Sequence, residues 1–135
     1  MLAAARTLSI SIDRPVAQVY RLVSDPSSLP TWARAFCRSI RRTDQGWIAE
    51  TTAGTVGIRF APANDSGILD HVVTLASGAQ VVVPMRVVAN GTGSEVVFTL
   101  FRAPTMSDAD WQRDAGLVER DLGTLKRVVE SAAGT

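Results

Sequence analysis

Only one cysteine, Cys37, and one histidine, His71, occur in 135 residues. The first count excludes an internal disulfide and a cysteine-cluster metal site, and the second excludes a multi-histidine metal centre. There is no Gly-rich phosphate loop and no GxSxG nucleophile elbow; Gly91-Thr92-Gly93 follows Asn90 as a turn signal and is not a dinucleotide fingerprint. No metal and no cofactor are therefore expected. Charge of one sign is lacking too. Fourteen Lys and Arg against 13 Asp and Glu leave a net charge of +1, which argues against a dedicated binder of DNA or RNA. Lysine itself is nearly missing, Lys126 being the only one. Long apolar runs are absent: the strongest, 81–88, is short and interrupted by Pro84 and Arg86, so no integral membrane association is expected. Residues 1–6 lack the charged start and apolar stretch of a signal peptide, and a cytoplasmic protein is the expectation.

What is present is a chain of ordinary globular composition, 46% hydrophobic and 20% charged. It is long enough for one domain, 1–135, with a core that needs no staples. Leu8, Ile10 and Ile12 alternate with Ser9, Ser11 and Asp13, which predicts a half-buried strand. Pro15 stands where a helix tolerates proline best, in its first turn. Val16, Val19, Tyr20 and Val23 then recur at helical spacing until Asp25-Pro26 ends the helix. A second short helix carries Leu29, Trp32, Ala33 and Phe36. Six strands are expected over 37–42, 47–52, 55–62, 68–75, 80–89 and 94–102, separated by turn residues. The best hairpin signal is Asn90-Gly91. From Ser107 the period becomes helical, with a capping-box-like start at Ser107-Asp108-Ala109-Asp110. Trp111, Ala115, Val118, Leu122, Leu125 and Val129 form one apolar stripe sustained for about five turns. Gly134 lies just beyond the pattern. Gly116 and Gly123 stand off the stripe: either they admit a close neighbour or a ligand, or they are simply tolerated at half-exposed positions, at a cost of about 1 kcal/mol each.

This order, strand, two short helices, six strands and a long C-terminal helix over 107–132, predicts an α+β domain with seven antiparallel strands. The terminal helix must bury its stripe, Leu122 included, against the concave face of the sheet. Together with Arg14-Pro15 and Pro30-x-Trp32, the order resembles the START-like (SRPBCC) helix-grip superfamily of lipid-transfer, pollen-allergen-like and polyketide cyclase proteins. The resemblance implies a sheet curved around the long helix with a cavity between them. It implies a small hydrophobic or aromatic ligand (lipid, polyketide or isoprenoid-like) as the partner. Polyketide cyclase or dehydratase chemistry in the same cavity is the enzymatic alternative. Fold alone does not choose between them.

Period two places His71 on one strand face with Leu69, Val73 and Leu75, which turns it toward the interior. Asp70 takes the opposite face and cannot orient it. A catalytic His71 would need its partner from elsewhere, with Glu50, Asp114 and Arg59 as candidates; otherwise it is a core histidine bonded to backbone. Trp32, Phe36, Trp47, Phe60, Met85, Phe98 and Trp111 are filler in a solid core. Under the resemblance they line the pocket, together with Ala115 and Val118 of the helix's inner face. The strand around Arg86 is apolar on both faces, so alternation leaves its direction open. An inward Arg86 would hold a ligand carboxylate, and an outward one is a solvated sheet residue or part of a homodimer contact. Arg34, Arg38, Arg41 and Arg42 form a basic cluster, either solvated or an RNA- or protein-interaction surface.

Overall fold

β1 (Ala5–Ile12) runs antiparallel to β8 (Gly93–Phe101), pairing Leu8 with Phe98 and Ile10 with Val96. Its alternation is realised as expected: Leu8, Ile10 and Ile12 turn inward, while Ser9 and Ser11 stay exposed. The computed structural model describes residues 1–132. Gly134 therefore lies outside the described residues. α1 (Val16–Val23) follows Pro15 directly and buries Val19 and Val23. The carboxylate of Asp25 then accepts from Ser27 N at 3.0 Å, starting the 3-10 turn Pro26–Ser28 that leads into the single turn of α2 (Leu29–Trp32).

Five strands follow one another as hairpins: β2 (Cys37–Thr43), β3 (Gly46–Thr51), β4 (Gly54–Phe60), β5 (His71–Thr74) and β6 (Gln80–Val83), ordered β2-β3-β4-β5-β6. β7 (Met85–Asn90) joins the other sheet, ordered β1-β8-β7. The expected 80–89 strand is thus found as two, giving eight strands where about seven are expected. Pro84 is the reason. It has no N–H for a ladder and divides the expected 80–89 strand, so that Val83 pairs with His71 while Met85 pairs with Phe98. The Pro84 carbonyl still accepts from Thr99 N at 3.0 Å.

The two sheets are stitched by the chain before β5. Leu69 N donates to Met85 O and Val87 N donates to Gly67 O, both at 2.9 Å. Gly67 has a φ of +69°, and a Cβ there would stand 2.0 Å from the Val87 carbonyl oxygen, an approach only glycine permits. The Asn90-Gly91 signal becomes the β7–β8 hairpin. Gly91 carries the only positive φ of the turn, at the first central position, as a type II′ turn requires.

α3 (Asp108–Ser131) starts as expected, with the Ser107 hydroxyl accepting from Asp110 N at 3.1 Å. Leu122, Leu125 and Val129 enter the core with Val19, Val23, Trp32, Val56 and Met85. Near its C-terminal end, Lys126 Nζ donates to Ser11 O at 2.9 Å, and the Glu130 carboxylate accepts from Asp13 N at 2.8 Å. Arg14 adds a bond to the Glu130 carbonyl. These contacts fasten the helix to the end of β1. The close-approach reading of the helix glycines is not realised: a Cβ at Gly116 would meet nothing within 4 Å, and one at Gly123 only the flexible tip of Arg127. No helix of the described residues is long and apolar enough to cross a membrane.

Candidate functional site: a cavity between sheet and helix

Between the concave sheet and α3 lies a cavity of about 300 Å³. Strand alternation brings Ile58, Val73, Val83 and Phe98 to one wall. The opposite wall is α3, through Asp114, Leu117, Val118, Asp121 and Leu122, the i, i+3, i+4, i+7, i+8 face of a helix. Leu29, Trp32, Ala33 and Phe36, on and after α2, close one end. Around Ala53, Val81, Phe101 and Ala103 the lining reaches solvent; Val81 is 38% and Phe101 44% exposed, so the cavity is open on this side.

His71 lies in the sheet wall, stacked on Phe60 at 4.7 Å between ring centroids and edge-on to Phe98 at 6.2 Å. Its Nδ1 is 3.0 Å from the Leu69 carbonyl oxygen. A carbonyl only accepts, so Nδ1 carries the proton and the neutral ring is left with Nε2 as a bare acceptor. Burial pushes the imidazole pKa down, against the opposing pull of the Leu69 bond and the Asp70 charge, which keeps the ring in this neutral form. Asp70 faces away, as alternation requires. Its two oxygens hold Arg86 in a fork at 3.1 and 3.0 Å, and one also accepts from Met85 N at 2.9 Å. The open direction of Arg86 is thereby settled as outward. The hydrogen bond from Arg86 is the main cause that lowers the Asp70 pKa.

Two carboxyls enter the cavity from α3. Asp121 is buried, and its oxygens accept from Ala35 N at 2.8 Å and Phe36 N at 3.2 Å, holding the segment after α2 against the helix. Burial raises its pKa and the two backbone bonds oppose the rise. Asp114 makes no hydrogen bond among the described residues. Burial raises its pKa as well, with Arg113 opposing and Asp110 adding to the shift. Of the three partners weighed for His71, only Asp114 shares its cavity; Glu50 and Arg59 are exposed, with Glu50 accepting from Thr55 Oγ1 at 2.8 Å. Sequence reasoning missed Asp121. The signal was there: it lies three residues after Val118 and four before Leu125, on the apolar stripe itself. Trp32 Nε1 is buried without a partner.

Of the residues expected along the pocket, Trp32, Phe36, His71, Phe98 and Val118 line the cavity. The other six stand elsewhere. Phe60 supports His71 from its flank. Met85, just past the Pro84 break, is fully enclosed in the core. Trp47 lies beyond Ile58 toward the β2 edge, with the Arg42 guanidinium 5.9 Å from its ring centroid. Arg86 is outside. Trp111 and Ala115 fall off the cavity because its helical face is turned from the stripe toward Asp114 and Leu117. Arg34, Arg38, Arg41 and Arg42 are all exposed.

No family model and no curated protein sequence matches the chain. Solved structures do match. The protein XoxI from Bacillus cereus superposes with a TM-score of 0.75 at 20% identity, over 95% of this chain and 96% of that one. A START superfamily protein from Mycobacterium smegmatis gives 0.67 at 12% identity, over 93% and 97%. BexL, a di-domain ARO/CYC protein of the BE-7585A biosynthetic pathway, gives 0.72 at 18% identity, over 94% of this chain and 46% of that one. Eight antiparallel strands in two joined sheets gripping one long C-terminal helix, superposable on these structures along nearly the whole chain, are the START-like helix-grip fold.

Proposed function

We propose that the protein binds a small apolar molecule in the cavity between its sheet and α3. The observation that carries this reading is a preformed cavity of about 300 Å³ whose walls are mostly aliphatic and aromatic side chains, with few polar groups and a side open to solvent. That is at the lower end of the about 300–1,000 Å³ typical of small-molecule sites. Native mass spectrometry of the purified protein should show an adduct of the ligand's mass. Titration with the neutral dye N-phenylnaphthylamine should saturate at one equivalent with enhanced fluorescence. Val118→Trp, which puts an indole into the cavity from the helix wall, should abolish that signal while the protein stays folded. Retained binding in that variant would move the site elsewhere.

A catalytic reading of the same cavity, that of a polyketide cyclase or dehydratase, is favoured by one observation: the acceptor nitrogen of His71 and the carboxyl of Asp114 belong to a single apolar chamber. A base and an acid there would move a proton on a chain held folded by the walls. His71→Phe abolishing turnover without abolishing dye binding would establish it. The alternative RNA reading of Arg34, Arg38, Arg41 and Arg42 requires affinity that falls steeply with salt.

A further inference from the structure

Every ionisable side chain in the cavity wall is a hydrogen-bond acceptor. His71 spends its only proton on the Leu69 carbonyl and turns Nε2 out as a lone pair. Asp114 contributes a carboxyl without a hydrogen bond among the described residues, and Asp121 a second carboxyl farther along the helix. No Lys or Arg lines the cavity among the described residues. Of the nearby cations, Arg113 holds Asp110 at 2.6 Å, Arg86 holds Asp70 on the outer face, Arg102 holds Asp108 at 2.6 Å and the Met106 carbonyl, and Arg120 is exposed outside the lining. The indole N–H of Trp32, a lining residue, is a donor, but the nitrogen itself is buried and has almost no surface to offer. Thr52, at the rim, is the one side-chain hydroxyl in the lining among the described residues.

We propose that the ligand is an apolar molecule carrying a hydroxyl or amine hydrogen-bond donor, and that the cavity discriminates against carboxylate anions and against esters or ketones that only accept. This rests on the cavity being a ligand site and states which chemistry that site takes. An alcohol or phenol O–H, or a protonated amine, finds an acceptor in Asp114 or in His71 Nε2, and bonds to such groups gain strength where the walls exclude water. A fatty-acid carboxylate would instead lie among acceptors with two acidic groups nearby and no countercharge, and an ester oxygen would be buried unpaired. Asp114 is the specificity residue in this scheme, because its oxygens are not committed to the protein as those of Asp121 are. His71 supplies the second acceptor from the facing wall.

A matched series sharing one alkyl chain tests this: dodecane, dodecanol, dodecylamine, methyl dodecanoate and dodecanoate, each competing with N-phenylnaphthylamine at neutral pH. Dodecanol and dodecylamine should bind about tenfold or more tighter than methyl dodecanoate and dodecanoate, the step a hydrogen bond to a charged or well-oriented acceptor supports. Asp114→Asn should remove most of the advantage of dodecylamine and improve dodecanoate. Asp114 is partly exposed and makes no hydrogen bond among the described residues, and its burial disfavours the charged form, so the variant should fold with thermal stability kept or raised. His71→Phe should narrow the gap between dodecanol and dodecane. Equal affinities across the series, or a ranking that Asp114→Asn leaves intact, would overturn the donor proposal while leaving apolar binding in place. Failure of the dye and of all five compounds to bind would overturn the binding reading itself, and this proposal with it.

Discussion

Asp70 and His71 are adjacent in the chain and face opposite worlds, one gripping Arg86 in solvent and the other stacked on Phe60 and edge-on to Phe98. The pleat of β5 does this, and it was readable from period two alone. The direction of Arg86 was not, because valines flank it on both faces; only the carboxylate across the ladder decides it. Asp121 was overlooked although it lies on the apolar stripe, because a carboxyl on a helix reads as its wet face until a neighbouring loop claims it. A pH consequence follows from Asp70. Its folded-state pKa is depressed, so the Arg86 pair stabilises the fold above the ordinary aspartate value of about 3.9. That contribution fades as pH falls through the lower folded value. Glu95, bonded to Ser11, and Glu130, bonded to Asp13 and Lys126, are shifted down and act in the same direction. Asp114 and Asp121, shifted up, oppose them: their burial penalty is relieved on protonation. Asp70→Asn should therefore lower the melting temperature at neutral pH and shallow the acid limb below about pH 4. Thermal melts over a pH series read this directly, and an unchanged acid limb would remove Asp70 from the balance.

At the scale of elements, α3 carries the clearest tests. Leu122 is 3% exposed and also touches the cavity, so Leu122→Ala enlarges a void that already exists. Its cost should fall near the low end of the about 2–5 kcal/mol usual for such a truncation, measured by urea unfolding. Gly116 sits in open space on the outer face of the same helix. Gly116→Ala should stabilise by about 0.4–1 kcal/mol, since alanine narrows the unfolded chain and meets nothing when folded. Gly67→Ala should act oppositely and strongly, because its Cβ would fall on the Val87 carbonyl. The order of elements was legible throughout, since turn residues and the change of period at Ser107 mark the boundaries. The division at Pro84 was not: the flanking valines continue the strand pattern across it, and only the loss of one N–H breaks the ladder there.

For the whole molecule, a ligand cavity inside the fold is a linkage device. A ligand that binds only the folded state, present at about 100 times its Kd, adds about 2.7 kcal/mol. Dodecanol at that level should raise the melting temperature by several degrees, and Val118→Trp should cancel the rise; equal shifts in both proteins would mean that the alcohol acts on the surface. The presence of a fold with an interior chamber could be anticipated from the element order, whereas its polar fittings depend on contacts distant in sequence, such as Asp121 with Ala35 and Phe36. The Pro84 break bears on rates as well as shape. Past it β6 pairs only with β5, and the ends of β6 and β8, at Val81 and Phe101, form part of the open rim. Traffic through such a seam requires no strand to unzip. Ligand release should then show a far gentler temperature dependence than global unfolding, whose rate climbs about 3–6-fold per 10 °C, and stopped-flow release of N-phenylnaphthylamine across a temperature series would display the doorway as a shallow Arrhenius slope.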